Sequence, residues 1–175
     1  MDTPYTDLSS STSRLLLVSF WGAICAAIIA APLLAAHSHP LVASLLYLLF
    51  SPVCHQIPER SFALLGHAWA VCHRCAGIHF GVFIASLAGF KILSVPDSSL
   101  KRRIRVIAAG APLILDALLP YTGLWTNTPF SRFFTGFIFG GMLSSLLVLG
   151  IAEFLKDALW QRISFRASND EGNIS

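Results

Sequence analysis

The chain has 175 residues, 55% of them hydrophobic and 12% charged, with a formal charge of +3. A soluble domain carries about 25% charged residues, so this composition excludes disorder, a nucleic-acid-binding arm and a disulfide-stapled miniprotein. What it fits is a small integral membrane protein of one domain.

Residues 1–14 read as a short N-terminal segment holding Asp2, Asp7 and a lone Arg14. Leu15 to Ala36 is an uncharged run of 22 residues, and a helix needs about 20 to cross the hydrocarbon core. A secretory leader is the competing interpretation, but the basic n-region is missing and the apolar run is too long. The run is therefore expected to be a retained first span. Leu41 to Val53 is apolar for 13 residues and holds Pro52 near its end, the length of a re-entrant or interfacial helix. Ala76–Leu93, Ile104–Pro120 and Phe133–Ala152 follow as further spans, the middle one interrupted by Pro112 and Asp116. The expected fold is all-α: a membrane helical bundle with about four crossings and one short half-helix, five crossings being the alternative. Residues 15–160 form its single domain and residues 161–175 a polar tail.

Basic residues set the direction. Lys91, Lys101, Arg102, Arg103 and Arg105 crowd the loop after the second span, opposed only by Asp97. Lys156, Arg162 and Arg166 follow the last span. Both regions are expected on the cytoplasmic side of the cell membrane, together with both termini. The Cys/His-rich segment 54–79 and the loop from Tyr121 to Ser131 then face the exoplasmic side. Gly77, Gly81, Ala85 and Gly89 recur every four residues in the second span, as do Gly136, Gly140 and Ser144 in the last. Small residues at this spacing let helix backbones meet closely in lipid, which predicts that these faces pack together or against neighbouring spans.

All six histidines and three of the four cysteines fall between His37 and His79. Cys72 and Cys75 form a C-x-x-C pair with Cys54 upstream, and Cys thiolates at such spacing chelate metal or form a redox dithiol. His79 shares the helical face of Cys75, and His55 and His67 are further candidates for a fourth position. Three thiolates and one imidazole would complete a tetrahedral zinc site. The other readings are an exchanging dithiol, with Cys54 as resolving thiol, and buried cysteines without chemistry, the class to which Cys25 is assigned. His37 and His39 read as solvated loop residues. Ala76 follows the C-x-x-C, so c-type haem attachment is unsupported. Arg60 and Arg74 belong to the same segment: an arginine beside a thiol favours thiolate, while the plain alternative is a helix end anchored at headgroups. A carboxylate within a span is costly and needs a partner or a wet cavity. Asp116 is such a group, and Arg132 is its expected partner, with Asn127, Thr128, Ser131 and Thr135 as neighbouring donors and acceptors.

The strings CHQIPERS (Cys54 to Ser61) and CHRCAGIHFG (Cys72 to Gly81) resemble the paired signatures of a family of uncharacterised prokaryotic membrane proteins, domain of unknown function 2085. The segment of Asp116 and NTPFSRFFTGFIFG (Asn127 to Gly140) is similar to that family's third block. The matching positions are Cys54, His55, Pro58, Arg60, Ser61, Cys72, Arg74, Cys75, Gly77, Gly81, Asp116, Asn127, Arg132, Thr135 and Gly136. His79 stands where the family has an aromatic residue, and Ala117 where glycine often follows the aspartate. The resemblance implies a multi-pass membrane protein and favours His55 over His79 as the shared fourth ligand. It supplies no activity.

The resulting expectation is a metal site, most simply zinc, of Cys54, Cys72, Cys75 and His55 (His79 as the alternative), beside a polar pocket of Asp116, Arg60, Arg132 and Asn127. A membrane thiol–disulfide oxidoreductase and a small transporter or scaffold are the alternatives. Whether the protein is an enzyme is left open. No nucleotide loop, H-E-x-x-H or G-x-S-x-G motif is present, so the expected partner is the lipid bilayer, without nucleic acid or nucleotide.

Overall fold

In a computed structural model of the chain, residues 4–89, 99–123 and 125–172 are described. Lys91 and Asp97 lie outside them, as do the side chains of Lys101, Arg102, Arg105, Lys156, Arg162 and Arg166. Among the described residues, five α-helices carry the fold: α1 (Pro4–Ala36), α2 (Pro40–Phe50), α3 (His73–Ala88), α4 (Ser99–Leu118) and α5 (Pro129–Gly172). Two stretches, Ser11–Ala36 of α1 and Pro129–Leu155 of α5, are long and apolar enough to cross a membrane. The other expected crossings are shorter: α3 is described for 16 residues, and the apolar part of the α4 region is Val106–Thr122.

Local chemistry sets the helix ends. Pro40 opens α2, where a missing N–H costs nothing and the fixed φ suits a first turn. Thr128 caps α5 ahead of Pro129. Its hydroxyl accepts from the Ser131 N–H at 3.1 Å, while the Ser131 hydroxyl accepts from the Thr128 N–H at 3.0 Å. Gly89 ends α3 in the left-handed region, φ 60°. Arg14 reaches across from α1 to donate to the Ser86 and Leu87 carbonyls at 2.8 and 2.6 Å. That places a cation on the negative end of the α3 dipole and runs α1 antiparallel to α3.

α3 and α5 run parallel, backbone on backbone. A Cβ added to Gly77 or Gly81 would overlap the carbonyl oxygens of Phe133 or Phe137; one added to Gly136 or Gly140 would overlap those of Arg74 or Ile78. Farther along, the Ser86 and Ser144 hydroxyls hydrogen-bond at 2.8 Å while buried. The expected pairing of the two small-residue ladders is thus realised, except at Gly89, which is used as a cap. α4 packs on the flank of α5, and α2 on α1.

Leu41, Leu45, Leu48 and Leu49 on α2, Ile104, Ile107 and Ile114 on α4 and Phe134 and Ile138 on α5 are all exposed. Apolar surface this extensive is unlike a soluble monomer and is what a membrane-facing surface presents. One element lies beyond the all-α expectation. Ala63–Leu64 pairs antiparallel with His67–Ala68 around a turn at Leu65 and Gly66, whose φ values of 52° and 80° fit the tight hairpin type. Both strands contact α1, and the residues that follow them, Ala70 and Val71, enter a core with Ile28, Ala31, Phe50, Cys54 and Ala76.

Candidate functional site

Cys54 ends the turn that follows α2, its N–H donating to the Phe50 carbonyl at 3.0 Å. Gln56, at φ 50°, points its amide back into the fold and donates to Tyr47 O at 2.6 Å and Ala70 O at 2.8 Å. The Tyr47 hydroxyl donates to Ala68 O at 2.5 Å. These bonds tie the chain around Cys54 to the strand leading into α3. Cys72 is the residue before the first turn of α3, and its N–H donates to Cys54 Sγ at 3.1 Å. Cys75 lies in that first turn. The three sulfurs all fall within 4.8 Å of one another, and none is bonded to another. Cys54 is buried, and Cys72 and Cys75 are half-buried.

Three thiolates on one zinc, at about 2.3 Å each, would stand about 3.8 Å apart, so the observed set is compact enough to close on an ion with small side-chain movements. Its electrostatics favour a thiolate at Cys72. Hydrogen bonds from Cys54 and then Cys75 push the Cys72 thiol well down, despite partial burial. Hydrogen bonding with Cys54, then with Cys72, together with burial, pushes Cys75 up. A helix N-terminus adds further stabilisation to a thiolate there. Cys25 stays apart, buried within α1.

The histidines do not complete the set. Among the described residues the group within 4.8 Å consists of the three cysteines alone. His55 is exposed although adjacent to buried Cys54. In this geometry its ring nitrogens lie outside the group that the three sulfurs form. His79 lies against Trp21 and Phe50, ring centroids 6.4 and 6.3 Å away, one turn deeper into the helix pair. His37, His39 and His67 are exposed. His73 is buried with its ring 4.5 Å from Phe62, and its Nδ1 has no hydrogen-bond partner. Burial, then the nearby Arg132 charge, holds the His73 imidazole below its usual range, toward the neutral form.

The second cluster forms where α3 and α5 begin and α4 ends. Asp116 is buried, and its partner is Arg74, whose Nη2 lies 2.7 Å from Oδ2 and also donates to the Asp116 carbonyl at 3.0 Å. The expected Asp116–Arg132 pair is therefore corrected. Arg132 instead forks onto Asn127 Oδ1, with Nε at 2.9 Å, while Asn127 Nδ2 donates to the Asp116 carbonyl at 2.9 Å. Ser131 Oγ donates to Asp116 Oδ1 at 2.7 Å. Thr135 spends its hydroxyl on its own helix, at Ser131 O, 2.8 Å. Sequence separation favoured Arg132, 16 positions from Asp116, over Arg74, 42 positions away. The parallel α3–α5 pair brings both arginines to one end, and the asparagine decides which of them reaches the carboxylate. Arg60 and Arg74 both act electrostatically on Arg132, as do Asp116 and Cys72, so the two clusters adjoin.

No solved structure matches the chain. Among curated proteins, an uncharacterised protein of Methanocaldococcus jannaschii is 38% identical over 95 residues, 54% of this chain and 61% of that protein. An uncharacterised protein of Methanothermobacter thermautotrophicus is 46% identical over 43 residues, 25% of this chain and 39% of its own length. The matches thus span less than two thirds of either relative. The sequence pattern of the family described as Predicted membrane protein (DUF2085) fits residues 54–146, a stretch that holds the three clustered cysteines, the three arginines and Asp116, and the chain belongs to that family.

Proposed function

We propose that the protein is a multi-pass membrane protein whose Cys54, Cys72 and Cys75 bind one metal ion, most simply zinc, beside a polar pocket of Asp116, Arg60, Arg132 and Asn127. The convergence of three sulfurs from two separated segments carries this reading. Soft thiolates select zinc among the common divalent ions, and the N–H donated to Cys54 Sγ is the kind of outer bond that orients a ligand. With His55 exposed, the fourth position falls to water or substrate, the open arrangement in which a bound ion polarises a substrate or its water. In this reading the chain is a four-crossing bundle in the cell membrane with both termini cytoplasmic and the site at the exoplasmic rim, an orientation that the basic loops favour.

Metal analysis of purified protein tests this. The expected result is close to one zinc per chain, lost on Cys54→Ser, Cys72→Ser or Cys75→Ser. Sub-stoichiometric metal that ignores all three substitutions overturns it.

A second reading has its own support in the depressed Cys72 thiol at a helix N-terminus. In a thiol–disulfide oxidoreductase, the Cys72 thiolate would attack a substrate disulfide to give a mixed disulfide and release one substrate thiolate. Cys75 or Cys54 would then displace the second, leaving a protein disulfide and a reduced substrate. Alkylation separates the readings. Thiols protected until chelator is added mean metal; thiols freed only by a reductant mean a dithiol couple.

A further inference from the structure

The arginines outnumber what neutralises them. Arg60, Arg74 and Arg132 share one rim, and among the described residues Asp116 is the only carboxylate in an ion pair with any of them. Glu59 precedes Arg60 without pairing to it. Phe62, two residues after Arg60, has its ring centroid 4.5 Å from that of His73, next to Arg74, and 5.7 Å from that of Phe133, next to Arg132. This stacking fixes the Arg60 segment over the starts of α3 and α5. Like charges gathered at one end of the fold repel one another, and an anion among them relieves that repulsion.

Their donors are held but not used up. Each guanidinium offers five N–H bonds. Arg74 spends Nη2 on Asp116, and its Nε is buried with no partner. Arg132 spends Nε and Nη2 on Asn127. Asp116 and Asn127 therefore position two guanidiniums without consuming all their donors. Arg74 is the second residue of α3 and Arg132 the fourth of α5, so two helix dipoles point their positive ends at the same place.

We propose that Arg60, Arg74 and Arg132 form a receptor for a phosphoryl group, the chemistry shared by inorganic phosphate and a phospholipid headgroup. A planar carboxylate is saturated by one guanidinium fork; three forks from three segments suit a tetrahedral group with several oxygens. The surplus of three cations over one carboxylate matches its charge. Trp125, Phe130 and Phe134, all exposed nearby, give the rim the aromatic fringe found at headgroup depth. This inference rests on the pocket half of the proposed function and not on the metal.

The test is calorimetric titration of the full-length chain, delipidated in maltoside, with inorganic phosphate and separately with dihexanoyl phosphatidylglycerol. Saturable binding is expected, weakened about tenfold or more by Arg60→Gln or Arg132→Gln and partly restored by Arg132→Lys. Size-exclusion profiles confirm that each variant folds, with exposed Arg60 the safer substitution. Binding of inorganic phosphate supports a soluble ligand; binding of the short-chain lipid alone supports a headgroup. No binding of either, or equal binding by wild type and both glutamine variants, overturns the inference. Metal content of the same preparations is a separate number. Metal without phosphoryl binding sinks this inference alone, and phosphoryl binding without metal sinks the metal centre alone.

Discussion

Asp116 and His79 show how far a single residue's role depends on neighbours remote in sequence. Asp116 is 6% exposed and Arg74 24% exposed, so neutralising the carboxylate strands a partly buried cation. Breaking a fully buried pair costs about 3–5 kcal/mol; with Arg74 in part solvated, Asp116→Asn is expected to cost about 2–3 kcal/mol, read as a lowered unfolding temperature in detergent. His79 tempts as a metal ligand by its spacing from Cys75, yet its ring occupies a slot between Trp21 and Phe50. His79→Phe is accordingly expected to leave metal content unchanged and to fold normally; loss of zinc in that variant would return His79 to the ligand set. The cysteines were legible from spacing because a C-x-x-C at a helix start has few geometries. The neighbour of Cys54 was not, since which side a histidine faces depends on the turn that Gln56 makes.

At the scale of elements, the glycine seam was readable because period-four small residues leave little choice of face. Its register was not, since only three-dimensional packing sets Gly77 against Phe133 and Gly140 against Ile78. The two-residue strands escaped notice because Leu-Gly is a weak hairpin signal beside Asn-Gly. The seam makes a contrast that can be measured. A Cβ at Gly140 would run into the Ile78 backbone, whereas one at Gly150, on the same helix, meets nothing within 4 Å. Gly140→Ala is expected to destabilise by at least the 1–3 kcal/mol typical of an overpacked contact. Gly150→Ala is expected to stabilise by up to about 1 kcal/mol through helix propensity. Comparable melting temperatures for the two would mean that the helices do not meet along this line.

For the whole molecule, α1 is antiparallel to α3 and α3 parallel to α5, the alternation that a bundle of successive crossings would have. An epitope inserted at the Gly123 turn is expected to be reached by antibody on intact spheroplasts, and one at the C-terminus only after lysis; the reverse pattern would invert the proposed orientation. The parallel seam also has a consequence for biosynthesis. Two parallel neighbours cannot be joined by a tight hairpin, so α5 must leave the ribosome and insert after α4 before it can dock beside α3. All three clustered thiols are translated by Cys75, whereas the arginine cluster waits for Arg132 on the last helix. The nascent chain thus carries all three thiols before its last helix is complete, and the arginine cluster assembles only when α5 docks.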